Sequence, residues 1–129
     1  MCLHQWKTQV IMQKTIFILE DNADLRELYL YIFADNDYKI SSFSTIAEFM
    51  LHWNEIPDLY LLDVMLPDGD GIDLCQKLKN NTPSANTPVV MVSAHKDISE
   101  VKMQCPNADF LAKPFDIEEL NNRVAKHVH

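Results

Sequence analysis

The chain has 129 residues, 47% of them apolar and 23% charged, with a net charge of −8. That length suits one domain whose core needs no disulfide or structural metal. The acidic excess argues against nucleic acid as a direct partner, because gripping a phosphate backbone takes clustered Lys and Arg.

Met12-Gln-Lys14 looks like a natural start, so residues 1–13 read as an N-terminal extension and 14–129 as the domain. The apolar run 15–19 (TIFIL) reads as a first strand. A helix follows with Leu25, Leu28, Tyr29 and Ile32 on its core face, while Leu30, Tyr31 and Phe33 fall beyond it. Residues 38–43 (YKISSF) form a second strand, and Thr45-Ile-Ala-Glu48 is a capping box opening a helix with Ile46, Phe49, Met50 and Trp53 inward. After Pro57, the run 59–62 (LYLL) is a third strand. Asp68-Gly-Asp-Gly71 reads as a turn into a third helix, with Gly supplying positive φ, and Ile72, Leu74, Cys75 and Leu78 as its buried face. Pro88 leads into a fourth strand, 89–92 (VVMV). A helix over 98–104 has few apolar residues and stops at Cys105-Pro106-Asn107, since Pro106 cannot continue it with normal hydrogen bonding. The run 109–112 (DFLA) is a fifth strand. Asp116-Ile-Glu-Glu119 then opens a last helix reaching about His127, with Ile117, Leu120 and Val124 inward.

Strand and helix alternate five times, which argues a single doubly wound α/β domain with a parallel sheet. No run approaches the roughly 18 apolar residues of a membrane helix, and MCLHQWKTQVI lacks the apolar stretch of a signal peptide, so no membrane role is expected. The cysteines, Cys2, Cys75 and Cys105, are odd in number and lack C-x-x-C spacing. Neither a disulfide framework nor a zinc site is implied, and a reducing cytoplasm is the simplest setting.

In doubly wound sheets, ligands bind beyond the carboxyl ends of the strands. There the first strand ends in Glu20-Asp21, the third in Asp63, the fourth in Ser93 and the fifth in Lys113-Pro114. If the first and third strands are neighbours, their ends lie about 5 Å apart. Three carboxylates so close repel unless a cation sits among them, and an all-oxygen cluster with room for water suits Mg²⁺. The alternative is a set of unrelated strand-end carboxylates facing solvent.

ILEDN, LLDVMLPDGDG, VVMVSAH and DFLAKPF resemble the signature segments of response-regulator receiver domains, the CheY-like family of two-component signalling. The resemblance implies a flavodoxin-like (βα)5 fold with strand order 2-1-3-4-5. It implies that Asp63 accepts a phosphoryl group, that Glu20, Asp21, Asp63 and the carbonyl of Met65 hold Mg²⁺, and that Ser93 and Lys113 contact the phosphoryl oxygens. Lys113 would precede a cis proline, and Ser93 and Phe110 would form the switch pair. Met65 and His95 occupy positions that tune phosphoryl lifetime in this family. The implied partners are a sensor histidine kinase or a histidine phosphotransfer protein, docked partly on the first helix, and a downstream effector protein, with a dimer on phosphorylation as a further form. The implied role is a phosphoacceptor signalling domain of the cytoplasm rather than an enzyme with turnover. One departure is visible: the span from Ser93 to Lys113 is about two residues shorter than the family's, and it falls on the usual output face.

Three rival readings share these residues. An EF-hand at Asp68–Gly71 fails on register, because its first position would be Leu66 and its twelfth Lys77, where an acid is required. An Asp-nucleophile phosphatase needs a general acid two residues past Asp63, and Met65 stands there. A receiver that binds partners without phosphorylation is the third, and the complete set of site residues argues against it.

Overall fold

The computed structural model describes residues 13–94 and 98–129; residues 1–12 of the proposed N-terminal extension, and His95, lie outside that range. In chain order the elements are β1 (Thr15–Leu19), α1 (Ala23–Ala34), β2 (Lys39–Phe43), α2 (Ile46–Met50) and β3 (Leu59–Asp63). A small hairpin follows, β4 (Met65–Leu66) and β5 (Gly69–Asp70), then α3 (Gly71–Lys79), β6 (Val89–Ser93), α4 (Ile98–Gln104), β7 (Asp109–Ala112) and α5 (Ile117–Val128). Five strands make one sheet in the order β2-β1-β3-β6-β7, all pairs parallel. Leaving the hairpin aside, this is the expected order 2-1-3-4-5.

The period of two along each strand divides the core into layers. Phe17, Leu19, Tyr60, Leu62, Met91 and Phe110 face α2, α3 and α4. Ile16, Ile18, Leu61, Val90, Val92 and Leu111 face α1 and α5. With both faces covered, central strands must be apolar throughout, and β3 and β6 are buried at every position. Each large side chain so enclosed contributes about 1.5–3 kcal/mol.

Several helix faces differ from the expectation. On α1, Phe33 is fully buried and stacks on Tyr29, whereas Leu28 is 38% exposed. A stripe of apolar residues on consecutive positions leaves its own centre ambiguous, and the sheet selects the Tyr29–Ile32–Phe33 edge. On α5, Ile117 is turned to solvent while Leu120, Val124 and Val128 are buried. The second helix is short, so Met50 is exposed and Trp53 reaches the core edge from the turn beyond it.

The caps show a similar shift. Thr45 accepts the Glu48 amide as expected, but the Glu48 carboxylate returns to the amide and hydroxyl of Ser44. The orphan amides of Ile46 and Ala47 are taken by the two oxygens of Asp68, 2.9 Å from each. Those bonds hold the Asp68 carboxyl below its usual range and pin the β4–β5 hairpin to α2. Neither Gly69 in that hairpin nor Gly71 at the start of α3 has positive φ, contrary to the expectation for this turn. Their requirement is close approach: a Cβ on Gly71 would lie 2.1 Å from the Asp63 carbonyl oxygen, and one on Gly69 would lie 2.7 Å from Ile46.

A second correction concerns sulfur. Cys75 on α3 and Cys105, one residue past α4, form a disulfide with their Cα atoms 6.6 Å apart. Two cysteines separated by 30 residues carry no local signature, and the odd total masks the pair.

On β7 and α5, Asp109 accepts from Arg123 at 3.0 Å and sits 2.9 Å from His127 Nε2. Arg123 also donates to the Phe110 carbonyl. Burial raises the Asp109 carboxyl, but the bonds from His127 and the Phe110 amide, with the Arg123 charge, outweigh it and leave the carboxyl lowered.

The glycine contact gives a direct test. Gly71→Ala forces a methyl group against the backbone of Asp63, and overpacking of this kind costs about 1–3 kcal/mol. The urea midpoint of G71A should fall accordingly. An unchanged midpoint would remove the close-approach account of Gly71.

Candidate functional site

The parallel register places the site. Leu19 pairs with Leu62 across β1 and β3, so Glu20 and Asp63 each follow at the same rim. Val64 is held there by its amide bond to Val92 on β6, and the Gly71 amide to Val64 carbonyl bond of 2.8 Å fixes the turn beyond. One carboxylate oxygen from each of Glu20, Asp21 and Asp63 lies within 4.8 Å of the others. Glu20 and Asp63 are buried and Asp21 is exposed, so the cluster is closed below and open to solvent at Asp21.

The fifth expected residue arrives from the far side of the sheet. Ser93 pairs with Ala112, and the Lys113 amide donates to the Ser93 carbonyl at 2.8 Å. The Lys113–Pro114 bond is cis, as the resemblance implied. The Lys113 ammonium then stands 3.1 Å from Glu20 Oε1 and 3.5 Å from Asp63 Oδ2. Its tighter partner is therefore Glu20, whose other oxygen accepts the Asn22 amide at 3.1 Å. Arg26 donates to the carbonyls of Glu20 and Asp21 and braces that loop, while Asn22 caps α1 through the Leu25 amide.

Burial is the largest influence on the Glu20 carboxyl and pushes it up; the Asn22 amide opposes this, Asp63 adds repulsion and Lys113 relieves part of it, with the result raised. Among the described residues the site is thus short of positive charge, as expected when three carboxylates share one ammonium. Tyr29 was assigned only to the core, yet its hydroxyl is buried with no hydrogen-bond partner among the described residues. Burial and then the charges of Glu20 and Asp63 push its ionisation up.

The remaining expected residues are close in topology but differ in setting. Ser93 is buried at the end of β6. Phe110 is buried on β7 opposite Met91, in the layer facing α4. The Met65 side chain is exposed and the residue pairs with Asp70 in the hairpin. An all-oxygen cluster with one open side matches what a hard cation such as Mg²⁺ takes, so the residues fit that ion.

Comparison with known proteins gives the family. The model of the response regulator receiver domain matches residues 16–125. The transcriptional regulatory protein CssR of Bacillus subtilis is 34% identical over 89% of this chain and 51% of its own length. The phosphate regulon transcriptional regulatory protein PhoB of Escherichia coli is 32% identical over 88% of this chain and 51% of its own. The chain therefore spans about half the length of these curated relatives. Among solved structures, the signal receiver domain of a signal transduction histidine kinase from Syntrophus aciditrophicus superposes with a TM-score of 0.82 at 25% identity, covering 89% of each chain. This chain belongs to the response regulator receiver domain family.

The raised Glu20 carboxyl has a consequence for stability without a divalent cation. The folded state holds that proton more tightly than the unfolded chain does. Its contribution is complete below the ordinary glutamate range and is lost as pH rises through the raised value. In chelator, wild-type stability relative to Glu20→Gln should decline across that window and level off above it. Urea midpoints of both proteins against pH would show this, and a gap that is flat or that widens in favour of the wild type with rising pH would contradict it.

Proposed function

We propose that this receiver domain accepts a phosphoryl group on Asp63 with Mg²⁺ bound at the carboxylate cluster, and that the charge change resets its protein-binding surface. The observation that carries the reading is the convergence of three carboxylates and one ammonium at the rim. The donor is a phosphohistidine of a sensor kinase or phosphotransfer protein. An Asp63 oxygen attacks phosphorus, the bond from phosphorus to the imidazole nitrogen breaks, the electron pair leaves with the imidazole, and an acyl phosphate remains.

Bound Mg²⁺ would supply the positive charge that lets the carboxylates converge and that offsets charge on the phosphoryl oxygens. Asp21, exposed at the open side, and Asp63 would hold it directly, with the Met65 carbonyl as a further ligand. Glu20 already engages Lys113 and the Asn22 amide, so it serves the site as much by holding Lys113 as by ligation. Lys113 would move from Glu20 toward the transferred group and neutralise it. Ser93 would bond another phosphoryl oxygen and draw β6 inward, allowing Phe110 to turn. This is a shift between two populated states.

The surface of α1 presents Leu28, Leu30 and Tyr31 to solvent, which suits docking of the donor. With a net charge of −8, the domain would signal through a protein contact with an effector, or through a phosphorylation-dependent dimer, rather than by gripping nucleic acid itself. The setting is the cytoplasm, and the cycle is one of modification and slow hydrolysis rather than turnover of a substrate.

Incubation with acetyl phosphate and Mg²⁺ followed by intact mass should show one hydroxylamine-labile phosphoryl group, absent with chelator and in Asp63→Asn. Lys113→Ala should accept roughly 100-fold to 1,000-fold more slowly, the scale for losing one preorganised charge-stabilising donor. Modification that persists in Asp63→Asn would move the acceptor elsewhere. No adduct with any donor would leave the phosphorylation-independent binding module, and steady ester hydrolysis without an adduct would favour a phosphatase.

A further inference from the structure

We infer that Cys75 and Cys105 form a reversible thiol–disulfide site that, when closed, holds α4 against α3 and limits the rearrangement driven by phosphorylation of Asp63. The effect on phosphorylation and the reducing setting rest on the reading above; the pairing of the two cysteines does not. Cys75 lies in the middle of α3, and Cys105 directly follows α4. Their Cα separation of 6.6 Å is within the span a disulfide bridges. Beside the bond, the Gln76 side-chain amide donates to the Gln104 carbonyl at 2.6 Å, so the last turn of α4 is tied to α3 twice.

The tie matters because α4 has little else. It is seven residues long, and Val101 is its buried apolar residue among the described side chains. A helix so short does not persist in water on its own propensity. It must be held by packing and by this link. The helix is also the connection between Ser93 at the end of β6 and Phe110 on β7, and Cys75, Cys105, Val101, Met91 and Phe110 belong to one buried cluster. Any turn of Phe110 must be accommodated by the residues the disulfide holds in place.

Compartment and the weak hold on α4 make the link reversible. Both cysteines are buried, Cys75 fully and Cys105 almost so, and a groove of about 310 Å³, lined by Lys79, Asn80, Gln104 and Pro106 among others, borders Cys105. A small thiol such as glutathione therefore reaches the sulfur from that groove when the end of α4 opens locally. In reducing compartments disulfides are rare, and those found are usually transient or redox-sensing. Closure by exchange balances as follows. One protein thiolate attacks oxidised glutathione, forming a mixed disulfide and releasing one glutathione thiolate. The second protein thiolate attacks the protein sulfur of that mixed disulfide and releases the second. The two protons lost by the protein end on the released thiols.

The test uses the full chain equilibrated in glutathione buffers from fully reduced to fully oxidised. After acid quench, denaturation and alkylation, intact mass should count three free thiols at the reduced end and one at the oxidised end, with peptide mapping assigning the lost pair to Cys75 and Cys105. The oxidised protein should exchange the amides of residues 98–108 roughly tenfold more slowly, as expected for a segment whose local opening is blocked. With acetyl phosphate and Mg²⁺, both forms should gain the same phosphoryl mass, but the change in exchange across 98–115 should be large only in the reduced form. Cys75→Ala and Cys105→Ser should each behave as reduced protein whatever the buffer, and reduction of the wild type provides the same comparison should either variant fold poorly. Three free thiols in every buffer, or a bond that never opens, would overturn the reversible site. Equal exchange at 98–108 in the two redox states would overturn the clamp. Absence of any phosphoryl adduct would instead count against the proposed function, and the thiol count and resting exchange would still decide the redox site.

Discussion

Among the described residues, three carboxylates share one ammonium at the carboxyl rim of this sheet, and the rest of the structure serves to bring them there. Charges of one sign do not gather spontaneously. The driving force is the apolar core, which pairs β1 with β3 and β3 with β6 so firmly that the residues one step beyond have no choice of place. Asp21 alone remains in contact with solvent, while Glu20 loses hydration and its carboxyl rises. Hydrophobic burial thereby stores an electrostatic deficit at a defined point, and the natural relief of that deficit is a cation on the open side.

The same register links that point to a distant surface. The Lys113 amide bonds the Ser93 carbonyl, and Phe110 lies on β7, three residues before Lys113, which directly follows that strand. A new charge on Asp63 would therefore act on β6 and β7 together. Between those strands the chain passes through α4, a short helix whose far end is covalently held to α3. Asp109, Arg123 and His127 tie the start of β7 to α5. Among the described residues this face is thus held by a few identifiable restraints.

The strands were legible because a parallel sheet covered on both faces needs uninterrupted apolar runs, and TIFIL, LYLL and VVMV are such runs. The site residues were legible for a related reason: polar residues that end apolar strands must share a rim. Helix faces were less so. Leu28 and Phe33 exchange roles because an apolar stripe on α1 is wider than the face the sheet covers. The role of Gly71 was misjudged, since φ is a local property and the contact with the Asp63 backbone is not. Asp68 capping α2, the Asp109–His127 pair and the Cys75–Cys105 bond all join residues far apart in sequence whose chemistry is ordinary taken singly. Tyr29 was counted as core from its period alone, which cannot show where its hydroxyl ends.

The claim on which this account turns is that the carboxylate cluster is a cation seat whose occupation readies Asp63. Calorimetric titration of Mg²⁺ into the wild type and Asp21→Ala tests it most directly. The account predicts weak binding of a single ion to the wild type and none measurable in the variant, which removes the one solvent-facing carboxylate while leaving Glu20, Asp63 and Lys113 in place. Equal affinity in the two proteins, or no binding to either, would contradict it.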